Sequence, residues 1–489
     1  MNRRARKRAG LALGLFGGSF VAVVACSTTL QGTLNLVTGP DDGFAMNPKP
    51  TSLLVQLIDS TGASTSTRVS LPSDAGLTLP SQPGSNIDIL QVTGFDDAGE
   101  AVVSGTSIPL ALDQLSGITL NLFVQRTGQF SRLPSADGGT ATFSTPPTSL
   151  PLLTTIYSRY LLVGDGTGKT AATQIYDTLT WQVLPSPPPL PIKPLSLAYV
   201  DTYTGSDAAV DGSASIAALL ALGSNGSATW LDLTDSTGAD AEVTVEAGAP
   251  AGGQFSEVAG GQTVITPSGM LYIVGATRLT GSATTAILRV SSTGTLSWAR
   301  LTTARLGAAA TYVQGQGLYV FGGTAATDAA ATNSGVEVLA DGEGTAVAPS
   351  PGLPADTTKG AGAIAIDSSH ILLAGGAMAN KKSAPVRFYA LSDLNGGGSD
   401  AGASWPALPV TFTQAQVFGL TDSTSATGYS AMVVGSTSSG AASAYVLTPT
   451  SVTAVPFQVP RSKAQAIVLP NGSLGVVSSD ASTLESFIR

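Results

Sequence analysis

One histidine and one cysteine among 489 residues restrict the side-chain chemistry open to this chain. His370 stands alone, so a multi-histidine metal centre within one chain is excluded, and no His-based triad is expected. Its setting, Asp367-Ser368-Ser369-His370, predicts a hairpin turn with a solvated ring. Gly164-Asp165-Gly166-Thr167-Gly168-Lys169-Thr170 has the composition of a phosphate loop. That loop needs a glycine five positions before Gly168, where Val163 stands, so the segment reads as a turn. No Gly-x-Ser-x-Gly stretch with histidine support points to a hydrolase. Asp41-Asp42 and Asp96-Asp97 lack the loop spacing that would gather enough oxygens for calcium. Neither a metal nor an organic cofactor is expected. Three cations remain, Arg305, Lys359 and Arg461, each just before a predicted strand. In an acidic chain they are candidate ligand-binding residues, suited to a carboxylated glycan or peptide.

The N-terminus must be set aside before the fold is read. Arg3, Arg4, Arg6, Lys7 and Arg8 precede an apolar run from Leu11 to Val24. The basic head orients the segment, and the run is too short for a comfortable permanent span, which describes a secretory signal peptide over residues 1–25. Val23-Val24-Ala25-Cys26 resembles a bacterial lipobox, and the resemblance implies cleavage before Cys26 and a diacylglycerol on its sulfur. Ser27 is not the aspartate associated with inner-membrane retention, so the resemblance implies the outer membrane of a Gram-negative bacterium. Loss of the five basic residues moves the formal charge from −9 to −14, with 18 Lys and Arg against 32 Asp and Glu. Nucleic acid needs clustered cations, and no cluster survives cleavage. The expected membrane contact is the lipid itself.

The remaining chain is built for strands. Fifty-seven glycines, 29 prolines and only 11% charged residues do not suit long solvated helices. Short Val, Leu, Ile and Tyr runs alternate with Gly, Asn, Asp, Ser and Pro turns, so the chain is expected to be all-β. From residue 150 an apolar strand ending in a small residue recurs seven times. The copies are Leu161–Gly164, Leu220–Gly223, Tyr272–Gly275, Tyr319–Gly322, Leu372–Gly375, Met432–Gly435 and Gly475–Ser478. Their spacing is close to the ~50-residue period of propeller blades.

Arg305-Leu306-Gly307, Ala310-Thr311-Tyr312-Val313 and Leu318-Tyr319-Val320-Phe321-Gly322-Gly323 resemble a kelch motif, and Ile371-Leu372-Leu373-Ala374-Gly375-Gly376 repeats the double glycine. The resemblance covers about three quarters of the chain and is loose in motif. It implies a seven-bladed kelch-like β-propeller over residues 121–489, with Tyr176, Trp181 and Trp298 packed between blades. The related copper site of galactose oxidase, two histidines and a tyrosine linked to cysteine, cannot be assembled here. Residues 121–134 are expected to supply the closing strand of the last blade, because Phe130-Ser131-Arg132-Leu133-Pro134 resembles the endings Trp181–Pro185 and Trp405–Pro409. Ahead of the ring, residues 26–50 read as a lipidated tether with a possible first strand. Residues 51–120 then read as a small Ig-like or prealbumin-like β-sandwich.

Two functions remain open at this level. A surface-tethered, non-enzymatic recognition or scaffold lipoprotein would bind a glycan, peptide or protein through propeller loops. A carbohydrate-active hydrolase or lyase would instead need a converging pair of carboxylates in the central channel.

Overall fold

The computed structural model describes residues 33–72, 77–78, 87–111, 119–135, 137–148, 150–167, 169–184, 189–204, 216–233, 244–275, 282–325, 335–347, 358–396, 403–420 and 428–489. The signal segment and Cys26 lie outside them. Strands dominate; among the described residues the α-helix is the six-residue turn Leu391–Gly396.

Two sheets form the N-terminal unit. Thr33–Val37 runs parallel to Thr119–Phe123 and antiparallel to Leu77–Thr78. The facing sheet is ordered Ser64–Ser70, Ser52–Ile58, Ile87–Phe95, Ala101–Thr106, Gln125–Arg126. Leu53, Val55 and Leu57 are buried while their neighbours along the strand are half-exposed, the period-two pattern of a sheet with one face on a core. That core gathers Leu34, Leu90, Val92, Val103, Leu120 and Leu122 around them.

The rest of the chain forms seven sheets of three or four strands among the described residues. Their first strands are Pro151–Ile156, Pro194–Tyr203, Gln262–Ile265, Ala309–Val313, Lys359–Ala365, Phe412–Gly419 and Gln465–Val468. Each pairs antiparallel with the next strand in sequence, and all seven copies of the repeat fall on these second strands. Apolar side chains from one sheet meet those of the next. Leu220 and Trp230 of the second sheet pack with Ile273 and Leu288 of the third. Tyr319 and Phe321 of the fourth pack with Ile371 and Tyr389 of the fifth. The succession returns on itself, because Val477 and Leu484 of the seventh sheet share a core with Leu161 and Val163 of the first.

Glycine makes the close approach between sheets feasible. Gly322 has φ 62°, and a Cβ there would fall 2.3 Å from the Thr358 carbonyl oxygen at the edge of the fifth sheet. Gly375 has φ 75°, and a Cβ would meet Ala415 Cβ of the sixth sheet at 2.5 Å. Any larger residue would combine backbone strain with a clash.

The seventh sheet takes its outermost strand from far upstream. Gln129–Arg132 pairs antiparallel with Glu485–Ile488, Phe130 facing Phe487 in register. The expectation that residues 121–134 act together in closure needs correction at its start. Leu122 and Phe123 belong to Thr119–Phe123 in the N-terminal unit, where Leu120 and Leu122 fill the same core as Leu34. The chain crosses between the two within a few residues, and the crossing is well tied. Arg132 forms an ion pair with Asp41, Gln125 accepts from Ser486 at 2.6 Å, and Trp181 Nε1 donates to the Asn121 carbonyl at 3.0 Å.

Candidate functional site

The first strand of each sheet has a ladder partner on one side only, and the seven unpaired edges surround a channel of about 870 Å³. Edge N–H and C=O groups carry a cost unless they are satisfied. Here neighbouring side chains satisfy several of them. Gln262 of the third sheet accepts from Ala310 N and donates to Ala310 O, both at 3.0 Å. Gln416 of the sixth repeats the arrangement on Ala466, at 2.8 and 3.0 Å. Ala365 N donates to Thr311 Oγ1 at 3.0 Å. These amide clamps hold consecutive inner strands together and occupy much of the channel's polar side-chain capacity. Replacing Gln416 by Leu should leave both Ala466 groups without that partner and cost about 1–3 kcal/mol in urea unfolding, with no change in slope. An unchanged midpoint would show that water replaces the clamp.

At the hairpin end of the inner strands the channel opens onto apolar and aromatic groups. Ile265 is 64% exposed and Val468 51%, half-buried Ile364 and Phe418 line the same opening, and Tyr157, 38% exposed, is the chain neighbour of lining Ser158. Tyr157 has φ 55°, uncommon for a bulky residue, and its ring meets that of Tyr199 edge-on at 5.8 Å. Asp201, exposed at the end of the second sheet's inner strand, is the one charged residue lining the channel among the described residues. The Tyr199 hydroxyl is buried close to that carboxylate but outside hydrogen-bond geometry to any partner. Burial first and Asp201 second push its pKa upward. Burial and the charges of Asp232 and Asp201 raise that of Tyr157.

The three cations singled out from sequence are not gathered at a ligand face. Arg305 is buried against Glu337, with Nε and Nη2 both 3.0 Å from its Oε1, and donates to the Gly322 carbonyl at 2.6 Å. Arg461 is buried against Glu485 at 2.8 Å and donates to Ser478 Oγ and the Thr483 carbonyl. Both sites follow one plan. The arginine stands four residues before an inner strand, and the glutamate is on the third strand of that same sheet. Each glutamate also accepts the backbone N–H groups three and two residues before its arginine: Thr302 and Thr303, then Gln458 and Val459. These are buried clamps on the linkers between sheets, and their guanidinium groups have no face left for a ligand. The fifth sheet does not repeat the pair, since Arg387 occupies the register position of Glu337. Lys359 is half-buried at the start of that sheet's inner strand, its stem beside Gly307. The expectation of three ligand-facing cations therefore fails for Arg305 and Arg461, because each had a carboxylate to meet at distant sequence positions.

His370 is not simply solvated either. Its ring stacks on Phe388 at 4.8 Å and its Nδ1 lies 3.0 Å from both Asp367 oxygens. Burial opposes the charge on Asp367, but hydrogen bonds from Tyr429, Ser369 N and His370 outweigh it and hold the carboxyl below its usual range. Among the described residues no three His, Cys, Asp or Glu side chains gather as a metal site. The channel mouth was missed in sequence. Neighbouring apolar pairs such as Val264-Ile265 and Ile467-Val468 read as buried strand, because both faces of a strand are covered where sheets pack on each side, as for the fully buried Leu271–Val274.

Sheet order and the inter-sheet cores make this an all-β protein of the β-propeller class. The search of solved structures finds the streptogramin B lyase structure, with TM-score 0.41 and 10% identity over 73% of this chain and 96% of that one. It also finds YjhT, with TM-score 0.38 and 15% identity over 64% of this chain and 99% of that one. No protein-family model matches the sequence, and no curated protein is significantly similar to it.

Proposed function

We propose that this chain is a secreted lipoprotein, held through a lipid on Cys26 at the outer membrane of a Gram-negative bacterium. Its seven-bladed, kelch-like ring, behind a small Ig-like or prealbumin-like sandwich, recognises a ligand without transforming it. The observation that carries the recognition reading is the channel mouth, where exposed Ile265 and Val468 line an opening with a single lining carboxylate, Asp201, among the described residues. Glycoside chemistry by the usual route needs two carboxylates flanking one bond. A concave opening that combines apolar side chains with convergent polar groups suits binding.

Two measurements test the reading. A fatty-acid analogue fed to expressing cells should label the wild type and not Cys26→Ser, and equal labelling of both would remove the lipid anchor. Secreted Cys26→Ser protein on a glycan array should retain bound sugars unaltered, with Ile265→Arg and Val468→Arg together abolishing retention at an unchanged melting temperature. Turnover of a bound glycan, lost on substituting one Asp or Glu, would favour a carbohydrate-active hydrolase or lyase instead.

A further inference from the structure

We infer that the channel mouth at Tyr157, Tyr199 and Asp201 binds an organic ammonium group carried on an apolar body. The inference deepens the recognition reading above and rests on it. Two features of the opening converge on this chemistry. The first is charge: Asp201 is the charged lining residue among the described residues, with Asp232 close enough to act on Tyr157. The nearby guanidinium of Arg159 is already held by Asp177 at 2.6 Å. The opening therefore carries net negative potential and repels the carboxylated ligands expected from the sequence.

The second feature is aromatic. Tyr157 and Tyr199 stand with ring planes 62° apart and centroids 5.8 Å apart, and the Tyr157 ring stays exposed beside channel-lining Ser158 and Tyr199. Ring faces attract cations, and more strongly as the pair leaves water. Across the same opening Ile265, Ile364, Phe418 and Val468 supply apolar surface for the remainder of the ligand. A bare metal ion would leave that surface unused, and a neutral hydrocarbon would leave the carboxylate unused.

The test compares benzylammonium, benzyl alcohol and benzoate, which share a ring and differ in charge, by calorimetric titration of the Cys26→Ser protein. Benzylammonium should bind about tenfold more tightly than benzyl alcohol, with benzoate weaker than both, and the preference should shrink at high salt. Asp201→Asn should remove the preference for the cation, and Tyr157→Leu should weaken benzylammonium roughly tenfold. Both residues are exposed, so an unchanged melting temperature serves as the folding control. Equal binding of benzylammonium and benzyl alcohol would overturn the ammonium inference while leaving recognition at the mouth intact. Failure of benzylammonium to bind, or binding indifferent to both substitutions, would also overturn it. Loss of benzyl alcohol binding on the Ile265→Arg and Val468→Arg substitutions separately decides whether the mouth takes an apolar body.

Discussion

Glu485→Ala should remove about 3–5 kcal/mol of stability, the cost of leaving a buried charge without its partner. Neither side chain of the Arg461–Glu485 pair is exposed, so water cannot replace the missing carboxylate. The same substitution takes an acceptor from the N–H groups of Gln458 and Val459, loosening the linker that enters the seventh sheet. Denaturant unfolding should show the loss as a lower midpoint. The double substitution Arg461→Met with Glu485→Leu removes both charges at comparable volume and should recover most of the loss. A Glu485→Ala midpoint close to wild type would show that the clamp contributes little. The corresponding pair Arg305–Glu337 should respond in the same direction, because it accepts the same set of backbone groups.

Phe130→Ala should cost about 3–5 kcal/mol, the range for truncating a fully buried aromatic. Phe130 is completely buried, with Phe457 at 4.7 Å and Phe487 at 5.5 Å, although it lies more than 300 residues away from both in sequence. Removing residues 129–132 altogether would have a second effect. Glu485–Ile488 would become an open edge with unpaired N–H and C=O groups, able to pair with another copy. Aggregation by light scattering and loss of a single cooperative transition are the expected readouts. A deletion variant that stays monomeric and unfolds like the wild type would show that the strand is dispensable for closure.

The legible and illegible parts of this molecule divide by range. The repeat copies were readable because an apolar run ending in Gly and followed by a polar turn is a local signal, as in Tyr319–Gly322 and Leu372–Gly375. The upstream strand at Phe130 was readable because its Arg132-Leu133-Pro134 ending echoes other strand endings. Where that segment begins was not. Leu122 and Phe130 are equally apolar, and only packing assigns one to the core with Leu34 and the other to the ring. Arg305 and Arg461 were visible as cations before strands, but the glutamates that bury them lie 32 and 24 residues downstream. From sequence, a solvated arginine and a buried clamp have the same local pattern.

Local composition thus determined the all-β class, the strand repeat and the exclusion of a multi-histidine metal centre within one chain, since turn chemistry and residue inventory need no knowledge of distant contacts. Only the tertiary structure decided which charges are buried and which apolar groups are exposed. Alternation along a strand states that two faces exist, but inner strands here have sheets against both faces and one open edge on a channel. Burial is then set by how close the next sheet comes. At the hairpin end the sheets leave Ile265, Val468 and Tyr157 uncovered, while at the linkers they enclose Arg305 and Arg461 with carboxylates from other strands.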